Sequence, residues 1–161
     1  MHDNGVRKFY YSTDTKMFMT LDESSYIIKL YNKEMKMLNK FTPNKEKHNK
    51  KYPNILSFDY SEMSNRLGLA FADSTVSIIN FQNFLSKTKH DFEIVNSNEI
   101  VILMEEKILK IYYIQMLNRW ALFSENNRLL ILDMEKYRQN DPEYLHEVKL
   151  ENSDLKLTDL L

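Results

Sequence analysis

The chain contains no cysteine. A disulfide framework, a thiolate zinc site and a cysteine nucleophile are therefore closed to it. Glycine occurs only twice, as Gly5 and Gly68, which leaves no room for a glycine-rich phosphate loop. Excess charge of one sign is lacking too: 22 Lys and Arg against 23 Asp and Glu give a net charge of −1. Such a balance supplies no general electrostatic drive toward nucleic acid or an anionic membrane. No apolar run approaches the roughly 18 residues of a membrane span. The N-terminus shows no basic start followed by an apolar core. These features read as a soluble, intracellular protein. His2, His48, His90 and His146 are far apart, none has a second ligand at metal spacing, and they read as solvated or capping loop residues. Glu105 and Glu106 are adjacent, so on a strand they point to opposite faces and cannot form an acid/base pair. Neither a His-Glu-x-x-His nor a serine-nucleophile motif occurs, so no enzyme and no cofactor are expected.

What the chain does contain is repetition. Residues 55–80 overlay 108–133 without a gap, at an offset of 53. Ile55-Leu56-Ser57-Phe58-Asp59-Tyr60 falls on Ile108-Leu109-Lys110-Ile111-Tyr112-Tyr113, and Asn65-Arg66-Leu67-Gly68-Leu69 on Asn118-Arg119-Trp120-Ala121-Leu122. An upstream copy places Phe9-Tyr10-Tyr11-Ser12 on Phe58-Asp59-Tyr60-Ser61 at offset 49, and Ile28–Asn32 on Val76–Asn80 at offset 48. A period near 50 in 161 residues implies stacked supersecondary units.

Within the middle copy, Ile55–Tyr60, Arg66–Phe71 and Thr75–Phe81 are short runs rich in β-branched and aromatic residues, bounded by Ser, Asn and Asp. These are strand signals. Tight polar turns at Asp22-Glu23-Ser24-Ser25, Asp73-Ser74 and Glu125-Asn126-Asn127-Arg128 join the second and third runs. With glycine so scarce, Asn and Asp must supply the left-handed backbone there. A fourth strand is expected near Met37–Phe41, Phe92–Val95 and Leu145–Leu150. Extra length remains at 96–107. Contiguous Ile100, Val101, Ile102 and Leu103 argue for a buried strand, the preferred reading, while Ser97 as N-cap would open a short helix.

Four antiparallel strands per unit, with an apolar-Asp/Asn pair ending the third, resemble WD-repeat (WD40-like) β-propeller blades. Tyr31-Asn32, Ile79-Asn80 and Leu132-Asp133 stand where that family has Trp-Asp. No Trp-Asp or Gly-His pair is present, so the hydrogen-bond network that stiffens such blades lacks its usual residues. The fold class expected is all-β: about three four-stranded antiparallel blades at 6–43, 53–96 and 107–150, with a tail at 151–161. Three blades cannot close a ring. An open stack would expose apolar faces at Phe9, Phe18 and Ile28 on one end, and at Trp120, Leu122 and Ile131 on the other. Trp120, aligned with Leu67 and Phe18, both inward-facing by alternation, is nonetheless read as core.

The resemblance implies a non-catalytic scaffold for protein–protein contact, its partners being subunits that complete or cover the open propeller. The composition and degenerate blades are also similar to WD-repeat subunits of ciliary axonemes, which implies tubulin or axonemal partners and a cytoplasmic or ciliary place. The alternative is a WD-repeat subunit of an RNA-containing complex. No membrane partner is expected, and a nucleic-acid partner is disfavoured because the one basic cluster has no interleaved aromatics. That cluster, Lys45, Lys47, Lys50 and Lys51 between Pro43 and Pro53, is a candidate contact for an acidic partner, against a plain solvated loop. Arg66 and Arg119 recur at one blade position and offer a two-point clamp for an acidic peptide. Their alternative role is as turn residues whose stems cover a strand end.

Overall fold

The computed structural model describes residues 5–22, 27–43, 45–48, 53–80 and 99–149. Among the described residues twelve strands form three four-stranded antiparallel sheets. The first runs in order β1 (Val6–Ser12), β2 (Met17–Asp22), β3 (Ile28–Tyr31), β4 (Met37–Phe41). The second is β5 (Ile55–Ser61), β6 (Arg66–Phe71), β7 (Thr75–Asn80), β8 (Glu99–Leu103). The third is β9 (Ile108–Ile114), β10 (Arg119–Ser124), β11 (Leu129–Leu132), β12 (Leu145–Val148), with one short helix, α1 (Met134–Arg138), between the last two strands. Each sheet is an up-and-down meander, and the three stack face to face in chain order as the blades of an incomplete propeller.

The repeat seen in the sequence is a structural repeat. Tyr10, Asp59 and Tyr112 pair across the first hairpin with Met19, Gly68 and Ala121 respectively. Tyr11, Tyr60 and Tyr113 pair likewise with Phe18, Leu67 and Trp120. Asparagine supplies the left-handed backbone at Asn65, Asn118 and Asn127, but Lys16, Met35 and Ser74 do so elsewhere. At the β6–β7 turn Ser74, rather than Asp73, has the positive φ; Asp73 instead accepts from the backbone N–H and hydroxyl of Thr75.

Two apolar layers fill the spaces between sheets. Met19, Leu21, Ile28, Leu30 and Phe41 of the first sheet meet Phe58, Tyr60, Leu67, Leu69 and Phe71 of the second. Ala70, Val76, Ile78 and Ile102 on the opposite face of the second sheet meet Ile111, Trp120, Leu122, Leu130 and Leu132 of the third. Burying both faces of the middle sheet explains why β6 reads as a near-continuous apolar run from Leu67 to Phe71 rather than an alternating one.

Three expectations need correction. Residues 92–95 lie outside the described residues, and the fourth place in the middle sheet belongs to Glu99–Leu103, the run treated above as surplus between blades. Ile28, Trp120, Leu122 and Ile131 are buried, with Trp120 1% exposed, because Ile28 faces the first interlayer and Trp120 and Leu122 the second. Phe18 faces outward, partly exposed, stacked on Tyr11 at 4.7 Å. Its equivalents Leu67 and Trp120 both face the preceding sheet, and among the described residues no sheet precedes that of Phe18. Phe9, 66% exposed, does lie on that open face.

Candidate functional site

Three groupings of polar side chains stand out: a buried histidine network, an inner-strand cluster around Lys8, and the arginine positions at the β-hairpin mouths.

A short 3-10 helix, Lys45–His48, carries the chain from the first sheet toward the second and inserts His48 beneath Phe71, ring centroids 4.5 Å apart. His48 is 2% exposed. Nδ1 lies 3.1 Å from Asp73 Oδ2 and 3.2 Å from Thr75 Oγ1, and Nε2 lies 3.5 Å from Glu99 Oε1. Glu99 Oε1 also accepts from Ser77 Oγ at 2.8 Å. Burial opposes the charge on His48, yet hydrogen bonds and charge from Glu99 and Asp73 prevail and hold its pKa above the usual value. The network ties a loop, the β6–β7 turn and the edge strand β8 into one unit. A solvated loop histidine, as the sequence suggested, would do none of this. The missed signal was spacing: a histidine shortly before the first strand, with Asp73 in the turn after the second. Glu105 and Glu106 also depart from expectation, lying in the bend after β8 rather than on a strand. Glu106 is buried and accepts from Arg128 Nη1 and Asn126 Nδ2, each at 2.7 Å.

Along the inner strands β1, β5 and β9, side chains of one sheet bond to the backbone of the next. Lys8 Nζ donates to Phe58 O at 2.6 Å and sits over the rings of Phe58 and Tyr112 at 5.1 and 5.5 Å. Ser57 Oγ accepts from Ile111 N–H at 3.3 Å, and Asp59 Oδ2 from Tyr113 N–H at 2.8 Å. Burial lowers the Lys8 pKa. Burial likewise raises the Asp59 pKa, opposed by the N–H groups of Tyr113 and Tyr60 and by Lys8. These groups are consumed in joining sheets.

Arg66 and Arg119 open the second strands of successive sheets, each after a left-handed Asn. Tyr60 and Tyr113 hydroxyls fasten those asparagines, Asn65 and Asn118, both at 2.6 Å. Arg119 places its fork on Asp133 Oδ2, at 2.9 Å from Nε and 2.7 Å from Nη2, and donates from Nη1 to Leu117 O. Asp133 also caps α1 through Oδ1. Burial would raise its pKa, but Arg119 and the capping N–H groups bring it below the usual carboxylate value. Asn32, the equivalent after β3, similarly accepts from the N–H groups of Glu34 and Lys36. Arg66 is half-buried and pairs in register with Ser61 and Asn80. In the basic segment, Lys47 donates to Glu99 O at 2.6 Å. Lys45 begins the 3-10 helix, and Lys50 and Lys51 lie outside the described residues.

Among the described residues no group of three or more His, Asp or Glu side chains is arranged to hold a metal ion. No described helix is long and apolar enough to cross a membrane. No protein-family model matches the chain, and no curated protein does.

Proposed function

We propose that this chain is a non-catalytic scaffold of the WD-repeat type that joins protein subunits in a larger assembly. The observation that carries this reading is the open stack: three blade-like sheets whose outermost faces present Phe9, Tyr11 and Phe18 at one end and Phe123, Leu129 and Val148 at the other. Contiguous apolar surface of this kind marks an interaction site. Two local features support the blade type: the His48–Asp73–Thr75 network between loop, turn and strand, and the Asn32 and Asp133 carboxamide and carboxylate that cap the chain after the third strand. The polar clusters support a structural rather than catalytic economy, since Lys8, Asp59, His48 and Arg119 all bind other parts of the chain.

Cytoskeletal or axonemal proteins are the proposed partners, in cytoplasm or cilium. The test is capture of tubulin and axonemal proteins from a ciliary extract by the tagged chain. Retention through a high-salt wash is expected, because apolar faces rather than charges make the contact. Binding confined to nucleic acid and abolished by salt would overturn the reading.

A further inference from the structure

His48 has a carboxylate at each ring nitrogen, and the two carboxylates differ in how well they can do without it. Nδ1 lies 3.1 Å from Asp73 Oδ2 and 3.2 Å from Thr75 Oγ1. The Thr75 hydroxyl donates its proton to Asp73 Oδ1, 2.6 Å away, so toward the ring it can only accept. Nδ1 therefore carries a hydrogen. Nε2 lies 3.5 Å from Glu99 Oε1, an oxygen that already accepts from Ser77. A neutral imidazole has a single N–H and cannot serve both sides. Satisfying Asp73 and Glu99 together takes the doubly protonated ring.

The surroundings of the ring decide which proton leaves. Nδ1 has two acceptors and Nε2 has one, so the neutral ring keeps Nδ1–H and turns a bare Nε2 toward Glu99. That is the side where water cannot substitute: the Asp73 side chain is 25% exposed, and that of Glu99 only 1%. Glu99 Oε2 has no partner among the described residues, so Ser77 remains the donor to a buried carboxylate. The other groups about the ring are Phe71 of β6, stacked on it, Thr75 of β7, and, on its own helix, exposed Glu46 and Lys47, which bonds the Glu99 carbonyl. Burial disfavours the charged ring, but the hydrogen bonds with Glu99 and Asp73 outweigh it and hold the His48 pKa above its usual value. The fastened state is therefore complete at low pH and is lost as pH rises through the folded value.

We propose that His48 and Glu99 form a proton-operated latch on the outer strand of the middle sheet: Nε2–H fastens the Glu99 end of β8, and its loss lets that end fray from β7. Glu99 is the first residue of β8 and pairs with Ile79, so opening can begin there while Ile100 stays on Ile78 and Ile102 on Val76. Fraying carries the carboxylate to water and bares the β7 backbone at Ile79, an edge on which a further strand can pair. Proton concentration thus sets access to that edge. The inference does not depend on which other proteins the scaffold joins.

The test is nuclear magnetic resonance on the full chain across the His48 titration, with two readouts. Imidazole nitrogen shifts, assigned to His48 by their loss in His48→Gln, should show both nitrogens protonated at low pH and Nδ1–H alone above the titration. Amide exchange in β8, taken as a ratio to β6 in the same sample to remove the base catalysis common to both, should accelerate by about tenfold or more over the same range, as expected when a buried charge loses a hydrogen bond. Glu99→Gln should abolish that acceleration while keeping β8 protected, because a carboxamide can accept from Nε2–H or donate to the bare nitrogen. An Nε2–H tautomer at high pH would overturn the proposal. So would a constant β8 to β6 ratio, or the same acceleration in Glu99→Gln. The two wild-type readouts decide the matter even where that variant fails to fold.

Discussion

Trp120 joins the second and third sheets through its ring, which fills the hollow left by the missing side chain of Gly68 and touches Tyr113 at 5.0 Å. Trp120→Ala should cost about 3–5 kcal/mol, the usual range for a buried aromatic, read from denaturant unfolding midpoints. A loss below about 1 kcal/mol would place the ring in solvent. His48 carries a second residue-scale expectation. Its folded pKa lies above the unfolded value near pH 6.5. The folded state therefore holds its proton more tightly, and the resulting stabilisation is complete below about pH 6.5 and is lost as pH rises through the folded pKa. Unfolding midpoints should fall over that alkaline-going range, and His48→Gln should flatten the slope. An unchanged slope in that variant would show that Asp73 and Glu99 do not act on the ring. Trp120 was legible as core, because it aligned with an apolar position in each repeat. His48 was not, since nothing in its own lysine-rich neighbourhood distinguishes it from a solvated residue.

Strand β8 shows how an element was misplaced although its conformation was read correctly. The run Ile100–Leu103 has the contiguous apolar character of a buried strand, and it is one. Its partner was assigned by repeat length, which favoured 92–95 as the fourth strand. Pairing follows contacts rather than spacing: Ile78 opposes Ile100 and Val76 opposes Ile102, while Glu99 beside Ile79 reaches Ser77 and His48. The glycine-poor turns were legible because Asn tolerates positive φ, yet Lys16 and Met35 adopt it without that advantage, under the demand of hairpin closure. Glu99→Ala should release β8 from His48 and Ser77, with a cost of about 1–3 kcal/mol as buried partners lose their hydrogen bonds. Hydrogen exchange should then accelerate in β8 before β5 or β6. Uniform acceleration across the middle sheet would deny β8 its separate tether.

For the whole molecule, the repeat disclosed the stacking of three sheets, since equal spacing of equal elements leaves little else for their apolar faces to do. Which end positions are exposed was less legible. Alternation assigns residues to two faces, but only three-dimensional order tells which face has a neighbour; hence Ile28, Trp120 and Leu122 are interior and Phe18 is not. Face-to-face stacking of blade-like sheets is the claim on which the scaffold reading rests. Trp120 is the single tryptophan and Gly68 one of two glycines, so their proton resonances are readily assigned. The most direct test is a nuclear Overhauser experiment between the Trp120 indole protons and the Gly68 Hα protons, with Ile111 methyls as a second reporter. Strong cross-peaks to the Gly68 Hα protons from both the indole and the Ile111 methyl are the predicted result. Their absence, with a tryptophan emission maximum typical of water, would contradict the stacked architecture.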